Sequence, residues 1–383
     1  MVNPFMSAYA IDLGASSSDM GWFQSISNLS NNAMQLLWGR LSDKTRRRMP
    51  FIFAGGIIIA VLWIPMLFVT TPTQLITLLA LQALLGSMIT PAWSALIGDL
   101  VPSLKLGRAN ASLALYATIG SVIATLVSGI IMTQTVGTPQ QVMFIPIIVA
   151  VVCSVAGSLV MFYVKEKKTH ESLGLRGQIA RDMLDILHAG RKTPIFVKYC
   201  TVAATYEFFM SMSWPLIAMT QRRDLHATMF QLALLNVVQM LVTIAFQNWA
   251  GRKTDTAGRK PALIGYRVAL ITVPIAYAFI PDINILIAVG LFWGFAQALG
   301  QTSITAYLLD ISPKEYRGSF IAIYNLIIGI VTFFGSLLGG YLSDYTTAVF
   351  GIIVGMQIVY MISMVGRVAG AALHLSLKET VQK

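Results

Sequence analysis

The chain is a succession of long apolar stretches separated by short polar segments. A helix needs about 20 mostly apolar residues to cross the hydrocarbon core of a bilayer, and stretches of this length recur along most of the sequence. The pattern predicts an all-α polytopic membrane protein. Its eleven complete spans are predicted at 21–38, 50–69, 74–96, 109–133, 141–163, 194–218, 228–250, 261–280, 284–308, 318–341 and 347–368.

The beginning of the chain departs from this pattern. Only about ten apolar residues precede the acidic positions Asp12 and Asp19, about half of what a crossing requires. We expect a first helix that is truncated in this sequence. The alternative is a partial span that packs against its neighbours.

Two polar motifs occur twice, at nearly the same spacing. GRLSDKTRRR at 39–48 returns as GRKTDTAGRK at 251–260, and IGDLVPSLKLGR at 97–108 returns as LLDISPKEYRG at 308–318. Each copy lies where one apolar stretch ends and the next begins. Because residues that are unfavourable in lipid recur at one architectural position, the sequence predicts two duplicated halves.

Composition and charge agree with a membrane protein and indicate its orientation. Hydrophobic residues make up 56% of the chain, charged residues only 11%, and the net charge is +11, whereas globular proteins are about one quarter charged. Of the 27 lysines and arginines, all but Arg222 and Arg223 fall in alternate loops, helix ends and the tail. The positive-inside rule places these segments, and the C-terminus, in the cytoplasm of a cell whose plasma membrane the protein spans.

Several functional classes find no support in the sequence. A nucleic-acid interface needs a basic stripe on a soluble surface, and no segment of the chain reads as a soluble domain. The four histidines and two cysteines have no metal-site spacing, and we find no nucleotide-binding loop or catalytic nucleophile motif. We therefore expect no metal, no cofactor, no nucleic-acid partner and no enzymatic activity.

The most polar part of the chain divides it in the middle. We expect a transmembrane bundle at 1–163, a cytoplasmic linker at 164–193, and a second bundle with a short tail at 194–383. Within the linker, Ile179, Met183, Ile186 and Leu187 fall at helical spacing. That spacing predicts an amphipathic helix on the membrane surface, and the alternative is a solvated tether.

The repeated loop, the helix count, the linker and the duplication together resemble the major facilitator superfamily. The family signature, a glycine followed by an aspartate and a basic cluster, is matched by Gly39, Asp43 and Arg47, and again by Gly251, Asp255 and Arg259. The resemblance implies two pseudo-symmetric six-helix bundles and a transporter that works by alternating access.

The resemblance also implies a conformational latch in these loops. Asp43 is expected to face the N-terminus of the span that begins near Gly318, where a carboxylate interacts favourably with the helix dipole. Arg47 is expected to pair with Asp99, and by the duplication Arg259 with Asp310. These contacts would form when the cytoplasmic side closes. The alternative is that the residues only fix the geometry of the loops.

One acidic residue is predicted near the middle of the membrane. Glu207 lies 13 positions beyond Pro194, which at 1.5 Å per residue is roughly 20 Å into the bilayer. An ionisable residue at this depth marks an ion or substrate path by default. We expect Glu207 to couple transport to protons or to recognise a cation. The alternative is a glutamate neutralised by hydrogen bonds to a neighbouring helix.

Polar and aromatic residues at helical spacing are further candidates for the solute site, although Asn and Gln also join helices by hydrogen bonds. They are Tyr206, Trp293, Gln297, Gln301, Asn28, Asn32, Asn236, Gln239, Tyr116, Tyr324 and Asn325. Arg267 and Arg367 lie nearer the cytoplasmic ends, so we expect their heads to snorkel to the interface.

The sequence thus predicts a secondary active transporter of a small solute, coupled to a proton gradient, acting as a monomer in a lipid bilayer. A proton-coupled drug or metabolite efflux antiporter and a non-transporting, transporter-like receptor are the alternatives. The sequence around 117–130 has Gly120 and Gly129 but lacks the Gly-Pro-x-x-Gly-Gly motif of the family's drug antiporters, which weakens the antiporter hypothesis.

Overall fold

A computed structural model of the chain describes residues 3–34, 38, 41–42, 45, 47–102, 105–164, 193–313 and 317–380, and within this part every regular element is helical. The amphipathic helix predicted in the linker lies outside the described residues. Among those residues, nine helices are long and apolar enough to cross a membrane. The chain is therefore a helical membrane protein, as its hydropathy predicts.

The first half, as far as the structure describes it, is built from α-helices. They are α1 (Met6–Asp12), α2 (Ser17–Leu29, continued by a π-turn at Ser30–Met34), α3 (Met49–Trp63), α4a (Pro72–Gly86) with α4b (Ile89–Leu100), α5 (Leu106–Gln134) and α6 (Pro139–Val160).

The second half repeats this organisation. Its segments are α7a (Pro194–Met212) with α7b (Trp214–Met219), α8 (Met229–Ala257), α9a (Arg259–Ala269) with α9b (Thr272–Phe279), α10 (Ile283–Ile311), α11 (Arg317–Phe350) and α12 (Ile352–His374).

Helix α1 is short and deeply buried. Tyr9 and Ala10, and Phe5 just before the helix, are each 0% exposed. The Tyr9 hydroxyl donates a hydrogen bond to the carbonyl of Met66 at 3.3 Å. Its apolar side chains belong to the same core cluster as residues of α7b and α8. In the described chain, this segment packs against helices of both halves.

The last two helices meet differently from the prediction. Residues 342–346 were predicted as a loop, but α11 continues to Phe350 and the chain turns at Gly351, whose φ of +84° suits glycine. The polar residues do not end the helix because they have partners. Thr346 donates back to the Leu342 carbonyl, and the carboxylate of Asp344 accepts hydrogen bonds from α2.

Each half packs as a bundle, and the halves meet along two helix pairs. In the second half, α8 packs along α10 and α7a lies between α11 and α12. Between the halves, α2 packs on α11 and α5 on α8. Glycines permit the first contact, since a Cβ at Gly340 would lie 2.5 Å from the Ser17 carbonyl oxygen.

Candidate functional site

A charged pair is buried inside the second bundle. Arg267 on α9a donates from Nη1 to Oε1 of Glu207 on α7a at 2.6 Å. Arg267 is 0% exposed and Glu207 is 7% exposed. Taking both charges out of water costs several kcal/mol per ion, which mutual attraction offsets only at short range and good geometry. Arg267 therefore stabilises the charged carboxylate at this position.

Tyrosine rings surround the guanidinium of Arg267. Its central carbon lies 4.4 Å from the ring centroid of Tyr206 and 5.2 Å from that of Tyr266. The Nε and Nη2 atoms of Arg267 have no hydrogen-bond partner among the described residues. Ring faces attract cations electrostatically, so the two tyrosines supply part of the stabilisation that hydrogen bonds do not.

A second buried arginine joins two breaks in the helices. Arg367 on α12, 1% exposed, donates to the Leu270 carbonyl at 2.6 Å, to the Met210 carbonyl at 3.2 Å and to Oγ of Ser213 at 2.6 Å. Leu270 directly follows α9a, and Ser213 separates α7a from α7b. Helix breaks leave carbonyls without partners, and a planar guanidinium can satisfy several of them at once.

The expected snorkelling of these two arginines is wrong, because both heads point into the second bundle. Arg267 lies six positions inside the span predicted at 261–280, roughly 9 Å deep at 1.5 Å per residue. That depth, together with a single acidic residue on the neighbouring span, is the sequence signal that could have predicted the pair with Glu207.

Two other predicted residues lie next to this pair. Tyr206 is fully buried and donates from its hydroxyl to the Arg267 carbonyl at 2.7 Å. Tyr324 on α11 is 6% exposed and stacks on Tyr199 with ring centroids 5.5 Å apart. The structure therefore brings Glu207, Tyr206 and Tyr324 to one region around Arg267, whose side chain was expected at the membrane interface.

Helix α10 does not present its three predicted residues in one environment. Trp293 is 4% exposed, donates from Nε1 to Oγ1 of Thr272 at 3.1 Å and stacks on Tyr277. Gln297 is half-buried, and Gln301 is exposed. Trp293 thus packs against α9b, within its own bundle.

The remaining predicted residues are spread over four helices. In α2, Asn28 and Asn32 donate to carbonyls one turn earlier, and a Cβ at Gly329 of α11 would lie 2.8 Å from Cβ of Asn32. In α8, Gln239 packs beside α10, whereas Asn236 is exposed. A further two residues complete this group, namely Tyr116 of α5, which is 72% exposed, and the half-buried Asn325 of α11.

The first copy of the loop motif is described in part. Gly39 and Asp43 lie outside the described residues. Asp99 is contacted by Arg48, whose Nε lies 3.6 Å from its Oδ2, and the side chain of Arg47 is exposed. The contact with Asp99 is therefore made by the arginine that follows the one predicted.

The second copy is described in full. Nε of Arg259 lies 3.2 Å from Oδ2 of Asp310, the pairing that the duplication predicts, and Arg259 also pairs with Asp255 one turn earlier. Gly251, the first residue of this copy, is half-buried in α8. The tail adds a contact that the sequence did not indicate, because Glu379 accepts from the amides of Arg259 and Lys260 at 2.9 and 3.1 Å.

Hydrogen bonds between the two halves gather at the opposite end of the molecule, which we call the outer end and define by Asp12, Arg222 and Asp344. Arg222 pairs with Asp12 through two hydrogen bonds of 2.6 and 2.9 Å. Arg223 donates to the Ala15 carbonyl at 2.6 Å. Arg222 and Arg223 are the two basic residues that do not fall in the basic loops. Their position in the sequence could have indicated a contact at the outer end.

Helix α2 is held at its N-terminus by the other half. The amides of Ser17 and Ser18 donate to Oδ1 and Oδ2 of Asp344 at 3.0 and 2.9 Å. Farther along α2, Trp22 donates to the Tyr341 hydroxyl and Ser25 to the Phe333 carbonyl. At the basic end, by contrast, residues 112–117 of α5 are exposed on every side of the helix. The described chain is closed at the outer end.

Comparison with known proteins identifies the family. The sequence model of the Major Facilitator Superfamily matches residues 1–208 and 199–373. The staphyloferrin B transporter of Staphylococcus aureus is 23% identical over 332 residues, which cover 85% of this chain and 77% of the relative.

Solved structures share the fold. A bacterial homologue of the human lysosomal transporter Spinster, in an inward-facing and unoccupied conformation, superposes with a TM-score of 0.76 at 14% identity, covering 97% of this chain and 93% of that one. A D-xylose-proton symporter gives 0.75 at 14% identity, covering 100% and 93%. The chain belongs to the major facilitator superfamily.

Proposed function

We propose that the protein is a secondary active transporter that moves a small solute by alternating access and is coupled to protons through Glu207. The observation that carries this proposal is a buried glutamate with one cationic partner, inside a protein whose halves are joined at one end. The transporter class follows from the family, and the coupling is our inference.

The coupling mechanism follows from the charge of the buried pair. A proton on Glu207 would cancel the attraction to Arg267 and leave that guanidinium with its tyrosine contacts alone. Because an uncompensated buried charge is costly, protonation would favour a rearrangement of α7a relative to α9a. Proton binding and conformational change would thus be linked, as secondary transport requires.

We further propose that the solute enters from the basic end, between the halves. Three polar or aromatic side chains are exposed, namely Tyr116 on α5, Asn236 on α8 and Gln301 on α10. Asn236 lies one helical turn after Ala233, and Ala233 packs against Gly129 of α5. These side chains are candidates for the lining of that path. The positive-inside rule supports a cytoplasmic position for this end.

The basic loops would act as the latch of the cytoplasmic side. Arg259 with Asp310, and Arg48 with Asp99, join neighbouring helix ends within each half while the outer end is closed. The latch would therefore lie in a contact between the two loops, and not in the formation of these pairs. Closing this side would bring the two loops together, and the Arg47 side chain is exposed and available for that contact.

The first experiment is to identify the solute and then to test coupling. Thermal stabilisation of the detergent-solubilised protein by sugars, organic anions, amino acids and lipophilic cations selects a solute for transport in proteoliposomes. Accumulation that an inward proton gradient drives indicates symport, and export driven by the same gradient indicates antiport. A solute that binds and is not moved under any gradient would favour the receptor hypothesis.

Substitution of Glu207 tests its role. We expect Glu207→Gln to abolish gradient-driven accumulation while exchange of labelled solute across the membrane persists, because glutamine mimics the protonated side chain. The matched control is Asp282→Asn, which removes an exposed carboxylate that caps α10 and leaves a good capping residue. Unchanged accumulation with unchanged pH dependence in Glu207→Gln would contradict the coupling role.

A further inference from the structure

The contact of Asp344 with α2 differs in kind from the other contacts at the outer end. Both oxygens of one carboxylate accept from the first two amides of a helix that belongs to the other half, at 3.0 and 2.9 Å. The N-terminus of a helix carries about half a positive charge from unpaired amides, and hydrogen bonds to a charged acceptor are about twice as strong as neutral ones. Asp344 is half-buried, so solvent screens the contact only in part.

The packing around Asp344 makes this contact specific to one conformation. One turn before Asp344, Gly340 lies against α2, where an added Cβ would be 3.0 Å from Cα of Ser18 and 3.1 Å from Cα of Gly21. The carboxylate can therefore reach the amides only while the outer ends of α2 and α11 touch. Separation of the halves at this end would break both hydrogen bonds and expose the helix terminus.

We propose that Asp344 is the positioning residue that holds the outer end closed, by capping α2 across the interface between the halves. The inference rests on the alternating-access function proposed above and adds to it the residue that sets the balance between the two access states. Loss of the charge at position 344 would shift the protein toward the outer-open state.

The chain offers a matched control at the same helix terminus. The carboxylate of Asp19 also serves the N-terminus of α2, where it accepts from the Ser16 amide at 2.9 Å. Ser16 and Asp19 form a capping box within one half. Removal of the Asp19 carboxylate costs the same energy in both access states, so it should weaken α2 without changing the balance between them.

The test measures distances across the outer end by double electron–electron resonance between spin labels. Val136 in the first half is 97% exposed and Ile352 in the second is 58% exposed, and both lie at the outer end. The protein is purified and reconstituted in liposomes without solute. We expect Asp344→Asn to raise the population with the long distance, relative to the population with the short distance, by about tenfold, a change that corresponds to about 1.4 kcal/mol. Asp19→Asn should leave the ratio unchanged.

A second variant covers the case in which Asp344→Asn does not fold. Ser17→Pro removes the first donating amide at the N1 position, which proline suits, and should shift the ratio in the same direction. Its control is Ser343→Ala, which removes only the hydroxyl contact with Ser17. An unchanged ratio in Asp344→Asn, or an equal shift in Asp19→Asn, would overturn the proposal. Because no solute is present, failure of transport and failure of this inference are separate outcomes.

Discussion

At the scale of single residues, Arg367 shows how a buried charge can be structural. Its guanidinium binds acceptors at the breaks of α7 and α9, and these acceptors are two carbonyls and a hydroxyl. Desolvation of the charge is offset by charge-assisted hydrogen bonds, which contribute about 1.5–3 kcal/mol each. The residue thereby fixes the position of the two breaks relative to α12.

Replacement of Arg367 tests this role. We expect Arg367→Lys to lower the free energy of unfolding by about 2–4 kcal/mol, because a compact ammonium cannot reach acceptors at both breaks. The measurement is thermal or denaturant-induced unfolding in detergent. Arg252→Lys is the control, since Arg252 is exposed at the basic end of α8. Equal stability of the two variants would mean that the hydrogen bonds of Arg367 contribute little.

The Glu207 and Arg267 pair predicts non-additive energetics. Removal of either partner should cost about 3–5 kcal/mol, because the other charge stays buried without compensation. The double variant Glu207→Gln with Arg267→Gln should lose markedly less free energy of unfolding than the two single variants lose in sum. A double-mutant cycle on unfolding measures this coupling, and additive losses would show that the two charges do not stabilise each other.

At the scale of elements, hydropathy predicted where the helices lie better than where they end. The span predicted at 347–368 begins too early, since α12 starts at Ile352, and the span predicted at 318–341 ends too early, since the polar residues of 342–346 are typical of a loop. Their polar groups find partners within α11 and on α2, and a partner on a distant helix cannot be recognised from local sequence. The breaks at Ser213 and near Leu270 were missed for the same reason, since Arg367 lies about a hundred residues or more away.

The candidate site was predictable from the sequence only in part. Glu207 could be identified because a carboxylate interrupts an apolar span. Its partner was missed, since Arg267 and Arg367 lie at depths from which a long side chain reaches either the interface or the core. The pairing of Arg259 with Asp310 followed from the internal repeat and is present at 3.2 Å.

The packing of α2 on α11 predicts that bulk at Gly340 opens the outer end. A Cβ there would lie 2.5 Å from the Ser17 carbonyl oxygen, and backbone cannot yield as a flexible side chain can. We expect Gly340→Val to increase labelling of a cysteine placed at Ser25, which is 0% exposed. Gly318→Val is the control on the same helix, where an added Cβ meets nothing within 4 Å. Equal labelling in both variants would contradict the prediction.

At the scale of the whole molecule, the two ends of the protein are built differently. The outer end is joined by an ion pair, a capped helix terminus and close glycine contacts between the halves. The basic end carries ion pairs that join helix ends within each half, at Arg48 and at Arg259. A molecule with this distribution of contacts would rock about the α2–α11 and α5–α8 pairs, so that one end opens as the other closes.

Simultaneous distance measurement at both ends tests this account most directly. Spin labels at Val136 and Ile352 report the outer end, and labels at Tyr163 and Thr256, both exposed at the basic end, report the other. In wild-type protein in liposomes, we predict two populations. One has a short distance between the labels at the outer end and a long distance at the basic end, and the other has a long distance at the outer end and a short distance at the basic end. Asp344→Asn should move both ratios in opposite directions. Distances that lengthen together at the two ends, or a single population insensitive to Asp344, would contradict the account.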